Sequence, residues 1–269
     1  MSIEFDRGAK LGQGGFYSIF RVKYNGHTVA VKRVFLENVD DNDEESWRQL
    51  DHRNIVKLFH CERDEYSIYY AFELCDASLD QPFLDPKDPK KYNGPMPQRI
   101  DAMLQLALGL EHIHSKKFIH GNIKPENVLI SDGPTGQGEI TLKWANFKLT
   151  RNVSKGGRAA SQIRPIGTWL AQELQPTRKR KRGEEKNRYE ETDRSDVFAQ
   201  GLVFGTLLLN GQHLYGSLAN ENEIPDNIKE GKPINIQKID DKLRDCYEDE
   251  LLRRMLAYYP GKRMTSTQV

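Results

Sequence analysis

The sequence contains few cysteines and no long hydrophobic run. Its 269 residues include three cysteines, Cys61, Cys75 and Cys246, which are far apart and odd in number. This pattern argues against a disulfide framework or a cysteine-based zinc site and predicts reduced thiols. The longest nearly apolar stretch, VFAQGLVFGTLLL at 197–209, is too short to span a bilayer. It predicts a buried helix, and no membrane segment is expected in this chain.

The sequence also lacks an excess of either charge. Its 40 basic and 39 acidic side chains leave a formal net charge of +1, so no overall field favours nucleic acid or a membrane surface. The first residues, MSIEFDRGAK, lack the apolar core of a signal peptide. With 29% charged residues and a mean hydropathy of −0.72, we expect a globular protein of the cytoplasm, with the nucleus as an alternative.

The hydrophobic pattern changes period along the chain and divides it into two parts. Residues 1–75 are rich in β-prone runs, and the Asn25-Gly26 pair between two of them is typical of a hairpin turn. From about residue 97, apolar residues recur at helical spacing, which predicts a long amphipathic helix. We therefore expect a small β-rich lobe, 1–75, and a larger helical lobe, 76–269, within one domain.

One segment, residues 175–196, is highly charged and has almost no apolar residues. This composition predicts an exposed, mobile insertion. The segment contains the basic run 178–182, RKRKR, for which three interpretations stay open: a nuclear-localisation signal, an RNA-facing patch or a solvated loop. Apart from Tyr189, aromatic residues suited to base stacking are absent around this run.

Four motifs occur in a fixed order along the chain. They are LGQGGFYSI (11–19), VAVK (29–32), HGNIKPENVL (120–129) and WANFKL (144–149), and AQE and PGKRMT follow at compatible spacing. Each motif alone is weak, but the ordered set resembles the eukaryotic protein kinase domain over nearly the whole chain. The resemblance implies an α+β, bilobal fold, with a small β-rich N-lobe, a larger helical C-lobe and a cleft for ATP or ADP.

The resemblance assigns nucleotide-binding roles to residues in both parts of the chain. Glycines in the first motif let a hairpin backbone approach phosphates closely. Lys32 is implied as a phosphate contact, and its carboxylate partner is Asp43, Glu44 or Glu45, between which spacing does not choose. The full set implied for the nucleotide is Leu11, Gly12, Gly14, Ile19, Ala30, Lys32, Phe72, Glu73, Cys75, Lys124, Asn127, Leu129 and Asn146.

The two acidic residues that the family uses for chemistry are replaced by amides. The catalytic Asp corresponds to Asn122, and the metal-binding Asp of the Asp-Phe-Gly triplet corresponds to Asn146. An amide is not a useful base near neutral pH, and its oxygen is a far weaker ligand for a hard cation than a carboxylate. Lys124 is retained in the catalytic loop, while Asn127 and Asn146 offer weak metal contacts at best. We therefore expect Mg²⁺ to bind weakly and phosphoryl transfer to be absent or strongly impaired.

Further departures from the family pattern concern regulation rather than folding. Tyr17 replaces the third glycine of the Gly-rich loop, which predicts a stiffer and more obstructed loop. Gly121 replaces the arginine that receives a phosphorylated activation segment, and Lys148 replaces the glycine of the triplet. In contrast, the family's scaffold residues are retained as Glu173, Asp196 and Arg263, with Glu173 and Arg263 as an expected pair. A retained scaffold with lost chemical groups favours a pseudokinase.

Several segments, including FELCDASL and GTWLAQEL, are similar to the kinase-like halves of the endoplasmic-reticulum stress sensor kinase-nuclease and of ribonuclease L. This similarity implies nucleotide-assisted dimerisation and control of an adjacent RNA-cleaving domain, which is absent here. We expect a pseudokinase that binds ATP or ADP and acts through homodimerisation or a protein partner. Two alternatives stay open: a weak or unconventional Ser/Thr kinase, and an RNA-associated regulatory domain that uses residues 178–182.

Overall fold

The structure is a computed structural model that describes most of the chain. The described residues are 10–15, 17–39, 43–133, 138–146, 151–152, 167–175, 191–220, 222–239 and 251–269. The basic run 178–182 lies outside them, as do Phe147, Lys148 and Cys246. Of the charged segment 175–196, residues 176–190 are also outside the described part of the chain.

The first part of the chain forms a five-stranded antiparallel sheet in the order β1-β2-β3-β5-β4. The tight connection between β2 and β3 uses Asn25 and Gly26 with φ of 49° and 79°, as a two-residue hairpin turn requires. The strands are β1 (Lys10–Gln13), β2 (Tyr17–Tyr24), β3 (His27–Phe35), β4 (Leu58–Arg63) and β5 (Ser67–Glu73), and helix α1 (Asp43–Gln49) lies between β3 and β4.

The two faces of this sheet bury different sets of residues because successive side chains of a strand point to opposite sides. One face buries a small cluster of Val22, Val29, Val31 and Ala71. The other face contributes to the main core, where Trp47 of α1 packs against Phe72 of β5 with ring centroids 4.7 Å apart. Helix α1 is therefore fixed to one face of the sheet.

The second part of the chain is mainly helical. Helix α3 is its centre, since every residue from Ser195 to Leu208 is buried, as the apolar run predicted. Its N-terminus is capped by Thr192, whose hydroxyl accepts the Ser195 N–H at 3.1 Å. The helices are α2 (Arg99–Ser115), α3 (Asp193–Leu208), α4 (Ile224–Lys229) and α5 (Arg253–Met255). The strands are β6 (Ala77–Ser78), β7 (Phe118–Ile119), β8 (Val128–Ser131), β9 (Thr141–Trp144) and β10 (Arg151–Asn152).

The short strands of this part form two small sheets that hold the loop between β7 and β8. One sheet has the order β6-β8-β9 and the other pairs β10 with β7. The β8–β9 register aligns Leu129 with Lys143 and Val128 with Trp144. The motif 120–129 thus starts directly after β7 and ends within β8.

Helix α2 differs in one respect from the amphipathic pattern read in the sequence. Ile100, Leu104 and Leu108 recur at helical spacing, yet all three are exposed. The buried face includes Ala102, Met103, Leu106, Gly109, Leu110 and Ile113. The face of the helix that contains Gly109 is therefore the one packed against the core, and the three exposed apolar side chains lie outside it.

The two parts of the chain share one hydrophobic core. A parallel bridge joins Ile55, just before β4, to Trp144 at the end of β9. This arrangement, a small sheet-rich lobe followed by a larger helical lobe, confirms the predicted α+β fold. Within the described residues, no helix combines the length and the apolar character needed to cross a lipid bilayer.

Candidate functional site

The loop between β7 and β8 is anchored to the buried helix α3 by one carboxylate. Asp196 accepts the backbone N–H of His120 at 2.7 Å and that of Gly121 at 2.9 Å. Its Oδ2 also lies 3.0 Å from Nε2 of His114 on α2. Asp196 is 2% exposed, so these hydrogen bonds replace the water that the buried carboxylate has lost. The position of the loop is thereby tied to the centre of the helical lobe.

His120 begins the loop as a buried, neutral side chain. Burial lowers its pKa to about 4, because the imidazolium would lose its hydration. The ring packs edge-on against Trp144, with centroids 5.4 Å apart, and its Nδ1 accepts the Asn122 N–H at 3.3 Å. His120 therefore orients the following backbone and carries no charge near neutral pH.

Gly121 and Asn146 have backbone conformations that most residues avoid. Their φ angles are 67° and 61°, in the left-handed region. Glycine adopts this region without strain, and asparagine tolerates it better than most side chains. The residues present at both positions therefore suit the local backbone.

The asparagines of the cleft form a continuous chain of hydrogen bonds. Lys32 Nζ donates to Asn146 Oδ1 at 2.9 Å, and Asn146 Nδ2 donates to Asn127 Oδ1 at 3.1 Å. Asn127 Nδ2 in turn donates to the carbonyl of Asn122 at 2.7 Å. Lysine has only donors, so the oxygen of Asn146 must face it, and each following amide is then oriented by its neighbour.

This orientation leaves the site poorly suited to Mg²⁺. The oxygen of Asn127 faces an N–H donor of Asn146, whereas a divalent cation needs several oxygens directed at one point. The oxygen of Asn146 is bound by the Lys32 ammonium, which repels a second cation. Across the described part of the chain, no three His, Cys, Asp or Glu side chains come together as a metal site. The donor set therefore does not fit the ion.

Asn122 and Lys124 lie at the front of the loop. The Asn122 Nδ2 donates to the Asn146 carbonyl at 3.4 Å, so the side-chain amide of Asn122 is also bonded to the chain of asparagines. The Lys124 ammonium is 3.6 Å from the Glu126 carboxylate, and both side chains are partly exposed. Lys124 remains a cation near Asn122 that a bound anion can reach.

Tyr17 closes the cleft from the side of the Gly-rich loop. The Lys32 ammonium lies 4.5 Å from the centroid of its ring, within the range of a cation–π interaction. The Tyr17 hydroxyl is 3.4 Å from Asn146 Nδ2. The loop folds over this ring, with the Gly14 N–H donating to the Tyr17 carbonyl at 2.9 Å. A more obstructed loop was predicted from the replacement of its third glycine by Tyr17, and the obstructing group is the Tyr17 ring beside Lys32.

The carboxylate partner of Lys32 stays open. Among the three candidates, Glu44 accepts from Arg48 Nη2 at 2.7 Å, and this bond is the main cause of its lowered pKa. Glu45 accepts from the Gln49 side chain at 3.4 Å. The side chain of Asp43 is outside the described part of the chain. Both described candidates are thus engaged within α1 itself.

The other end of the cleft is formed by the segment that follows β5. The Glu73 carboxylate accepts the Lys57 N–H at 2.7 Å and lies 3.0 Å from Lys143 Nζ, so this side chain is held in place. Burial raises the pKa of the Cys75 thiol to about 12, which keeps it neutral. Within the described residues, no backbone carbonyl accepts the Cys75 N–H. This donor suits the edge of an adenine ring.

Most of the apolar residues in the set implied for the nucleotide are only partly covered. Leu11 is exposed, and Ile19, Ala30 and Leu129 are half-buried. Phe72 is buried against Trp47. A flat aromatic ligand beside these residues would cover apolar surface that is otherwise in contact with water, which is the usual composition of a small-molecule cleft.

The expected scaffold pair lies away from the cleft. The Arg263 guanidinium binds both oxygens of Glu173, at 2.6 Å and 2.7 Å, and packs over the Phe198 ring at 4.9 Å. Arg263 is 2% exposed. The geometry is the planar, two-point pairing that arginine makes with carboxylates.

Sequence reasoning missed two contributors to this region. Lys143, which pairs with Glu73, sits opposite Leu129 on β9, and only the strand register identifies it. His114, which binds Asp196, lies one helical turn after Leu110 on the buried side of α2, where a histidine is a weak signal. Lys32, Asn122, Asn127 and Asn146 are brought together as one hydrogen-bonded group.

Comparison with known proteins agrees with these features. The family model described as "Protein kinase domain" matches residues 5–269. The chain is 30% identical to the serine/threonine-protein kinase/endoribonuclease IRE2 of Homo sapiens, over 96% of this chain and 27% of that protein. It is 29% identical to ire-1 of Caenorhabditis elegans, over 93% and 25%, and 28% identical to ireA of Aspergillus fumigatus, over 94% and 24%.

The chain spans about a quarter of the length of these curated relatives. All three are named serine/threonine-protein kinase/endoribonucleases, and the similarity covers nearly the whole of this chain. The chain therefore belongs to the protein kinase family, as its motifs predicted, and its kinase domain is similar to those of the IRE1-type kinase/endoribonucleases.

Proposed function

We propose that this chain is a pseudokinase domain that binds an adenine nucleotide as a structural ligand and acts through dimerisation or docking of a protein partner. The observation that carries the proposal is the bonded chain from Lys32 through Asn146 and Asn127 to Asn122. It is held together by amides and one ammonium, and so contains neither a base nor an anionic metal ligand. A protein kinase domain implies ATP as its nucleotide in general.

The retained residues suit binding rather than phosphoryl transfer. Lys124 supplies a positive charge that a phosphate can reach, and the Cys75 N–H supplies a donor for adenine. In contrast, Asn122 stands where a substrate hydroxyl would need to lose its proton, and an amide does not accept it. The loop that carries Asn122 is nevertheless fixed by Asp196, so a rigid scaffold remains for a ligand to stabilise.

The regulatory part of the proposal concerns a neighbouring domain. The names of the relatives join a kinase to an endoribonuclease. For a domain without phosphoryl transfer, nucleotide-dependent dimerisation is a means of controlling such a neighbour, because the ligand stabilises the conformation it binds. Sedimentation with and without ATP or ADP tests this part; a monomer at all protein concentrations, with the nucleotide bound, would refute it.

Thermal unfolding with ATP or ADP, in Mg²⁺ and in EDTA, tests the binding proposal. We expect the nucleotide to raise Tm by the same amount in both conditions, since the donor set does not fit the metal. Lys32→Ala should reduce the shift, because it removes the hydrogen bond that orients Asn146 in the cleft. Lys23→Ala, on the exposed side of β2, is the matched control and should not reduce it. A shift that requires Mg²⁺, or no shift at all, would contradict the proposal.

A labelling assay separates this function from that of a weak kinase. With γ-labelled ATP and a generic protein substrate, we expect incorporation no higher than in the Lys32→Ala variant. Incorporation that is clear in the natural protein and lost in that variant would support an unconventional Ser/Thr kinase instead.

A further inference from the structure

Tyr17 places an aromatic ring at the end of the cleft where the phosphates of a nucleotide would lie. Three neighbours hold it there: the Lys32 ammonium under the ring, Asn146 Nδ2 at 3.4 Å from the hydroxyl, and Gly14 above. A Cβ on Gly14 would overlap the ring, so the glycine is in direct contact with it. The ring is therefore held by neighbours on several sides, and Tyr17 is only partly exposed.

The strand register explains why the ring reaches Lys32. In the β2–β3 pair, Ile19 is directly opposite Lys32, and Tyr17 is directly opposite Val34. Residues two apart on a strand share a face, so Tyr17 is the diagonal neighbour of Lys32 on the face that looks into the cleft. Aromatic side chains are long enough to bridge this diagonal. The contact thus follows from the pairing of the strands.

The ring and a polyphosphate compete for the same cation. The Lys32 ammonium is the charge that the family resemblance assigns to the phosphates, and the Tyr17 ring covers it. A phosphate group that approached Lys32 from the side of the Gly-rich loop would have to displace the ring, since two groups cannot occupy one face of the ammonium.

We infer that Tyr17 is a specificity-determining residue whose ring keeps the β and γ phosphates of a ligand away from Lys32, so that these phosphates add little to the affinity. The ligand class favoured by the natural sequence is then an adenine nucleoside or monophosphate, with ATP bound chiefly through its adenosine half. This inference rests on the proposed function, because it assumes that the adenine end of the cleft is occupied.

Calorimetric titration with adenosine, AMP and ATP in EDTA tests the inference. For the natural protein, we expect Kd values for adenosine and ATP within about threefold of each other. In Tyr17→Gly, the affinity for ATP should rise about tenfold, or about 1.4 kcal/mol, while that for adenosine stays within about threefold. Tyr17→Phe, which keeps the ring, should behave like the natural protein. Gln13→Gly is the matched control for a more flexible loop and should leave the ATP-to-adenosine ratio unchanged.

The outcomes distinguish the inference from the proposed function. If adenosine binds but Tyr17→Gly leaves the ATP-to-adenosine ratio unchanged, or if Tyr17→Phe alone raises it tenfold, the inference is wrong and nucleotide binding stands. If neither adenosine nor ATP binds to any variant, both fall. Should Tyr17→Gly not fold, Tyr17→Thr preserves the β propensity of β2 and gives the same comparison.

Discussion

At the scale of single residues, Asn146 is the junction of the cleft. It accepts from Lys32 through its oxygen and donates to Asn127 through its nitrogen. A carboxylate at this position accepts only, so its second oxygen would face the oxygen of Asn127 unless a cation lay between them. The amide therefore places one of its own hydrogens between these two oxygens, where a cation would otherwise have to lie.

Replacing this amide by a carboxylate should restore metal dependence without restoring full catalysis. In Asn146→Asp, we expect the nucleotide-induced rise in Tm to become larger in Mg²⁺ than in EDTA, because two oxygens then face one point. Asn122→Asp alone is the control and should not create this difference. The double variant should show at most a partial gain in labelling, since Tyr17 and Gly121 are unchanged. Normal kinase rates in the double variant would mean that only charge is missing.

Gly121 is held in a conformation that a side chain would strain. Its φ of 67° is left-handed, and an L-residue with a Cβ pays roughly 1–2 kcal/mol there. We expect Gly121→Ala to lower the free energy of unfolding by about that amount in urea denaturation. Gly261→Ala, where φ is not positive and no atom lies within 4 Å of an added Cβ, is the control and should change it by less than about 0.5 kcal/mol.

At the scale of elements, helix α2 shows how a small residue sets the distance between layers. A Cβ on Gly109 would lie 2.8 Å from the carbonyl oxygen of Asn54 and 2.8 Å from Cδ1 of Trp144. Both neighbours are fixed, since Trp144 Nε1 donates to the Leu106 carbonyl and Asn54 Nδ2 donates to the Leu142 carbonyl, each at 2.9 Å. The helix can approach β9 this closely only with glycine at this position.

We therefore expect Gly109→Ala to be destabilising although alanine favours helices. Overpacking against two fixed groups costs about 1–3 kcal/mol, which outweighs a gain of up to about 1 kcal/mol in helix propensity. Leu104→Ala, on the exposed side of the same helix, is the control and should be close to neutral. Equal midpoints of urea denaturation for both variants would show that the α2–β9 contact adjusts freely.

At the scale of the whole molecule, the lobes are joined by the segment before β4. The Val56 N–H donates to the Trp144 carbonyl at 2.9 Å, and the Trp144 N–H donates to the Asn54 carbonyl at 2.9 Å. The main core includes Trp47 and Phe72 of the sheet lobe together with the buried residues of α2 and α3. Unfolding of one lobe would therefore expose part of the core of the other.

The buried histidines make the stability of the molecule depend on pH. Burial lowers the pKa of both His120 and His213 from 6.5 to about 4, so the unfolded chain binds more protons between these values. The free energy of unfolding therefore keeps the full contribution of these two neutral imidazoles above about pH 6.5. As the pH decreases towards 4, the free energy of unfolding falls by about 1.36 kcal/mol per pH unit for each group.

Urea denaturation at pH 7 and pH 5 measures this dependence. We expect a loss of roughly 2 kcal/mol per histidine over that interval, which lies mostly above the range where carboxylates titrate. His213→Asn, which keeps an acceptor for the Tyr215 N–H, should remove the share of His213, roughly 2 kcal/mol over that interval. An unfolding free energy that is the same at both pH values would contradict the assignment of neutral, buried imidazoles.

Much of the fold and the chemical identity of the candidate site could be predicted from local patterns. The Asn-Gly turn, the fully apolar helix α3 and the ordered motifs depend on neighbouring residues, so they are visible in the letters alone. The exposed stripe of α2 was not predictable in this way. Ile100, Leu104 and Leu108 have helical spacing, but which face of the helix is covered depends on β9 and the segment before β4.

The sequence by itself determined the kinase family and the replacement of two carboxylates by Asn122 and Asn146, because these follow from residue type and order. Only the tertiary structure decided what the amides do. The Lys32–Asn146 bond joins residues 114 positions apart, and Tyr17 contacts both of them. Such contacts depend on how two lobes pack and how strands align, and no local pattern records the distance between side chains so far apart in the chain.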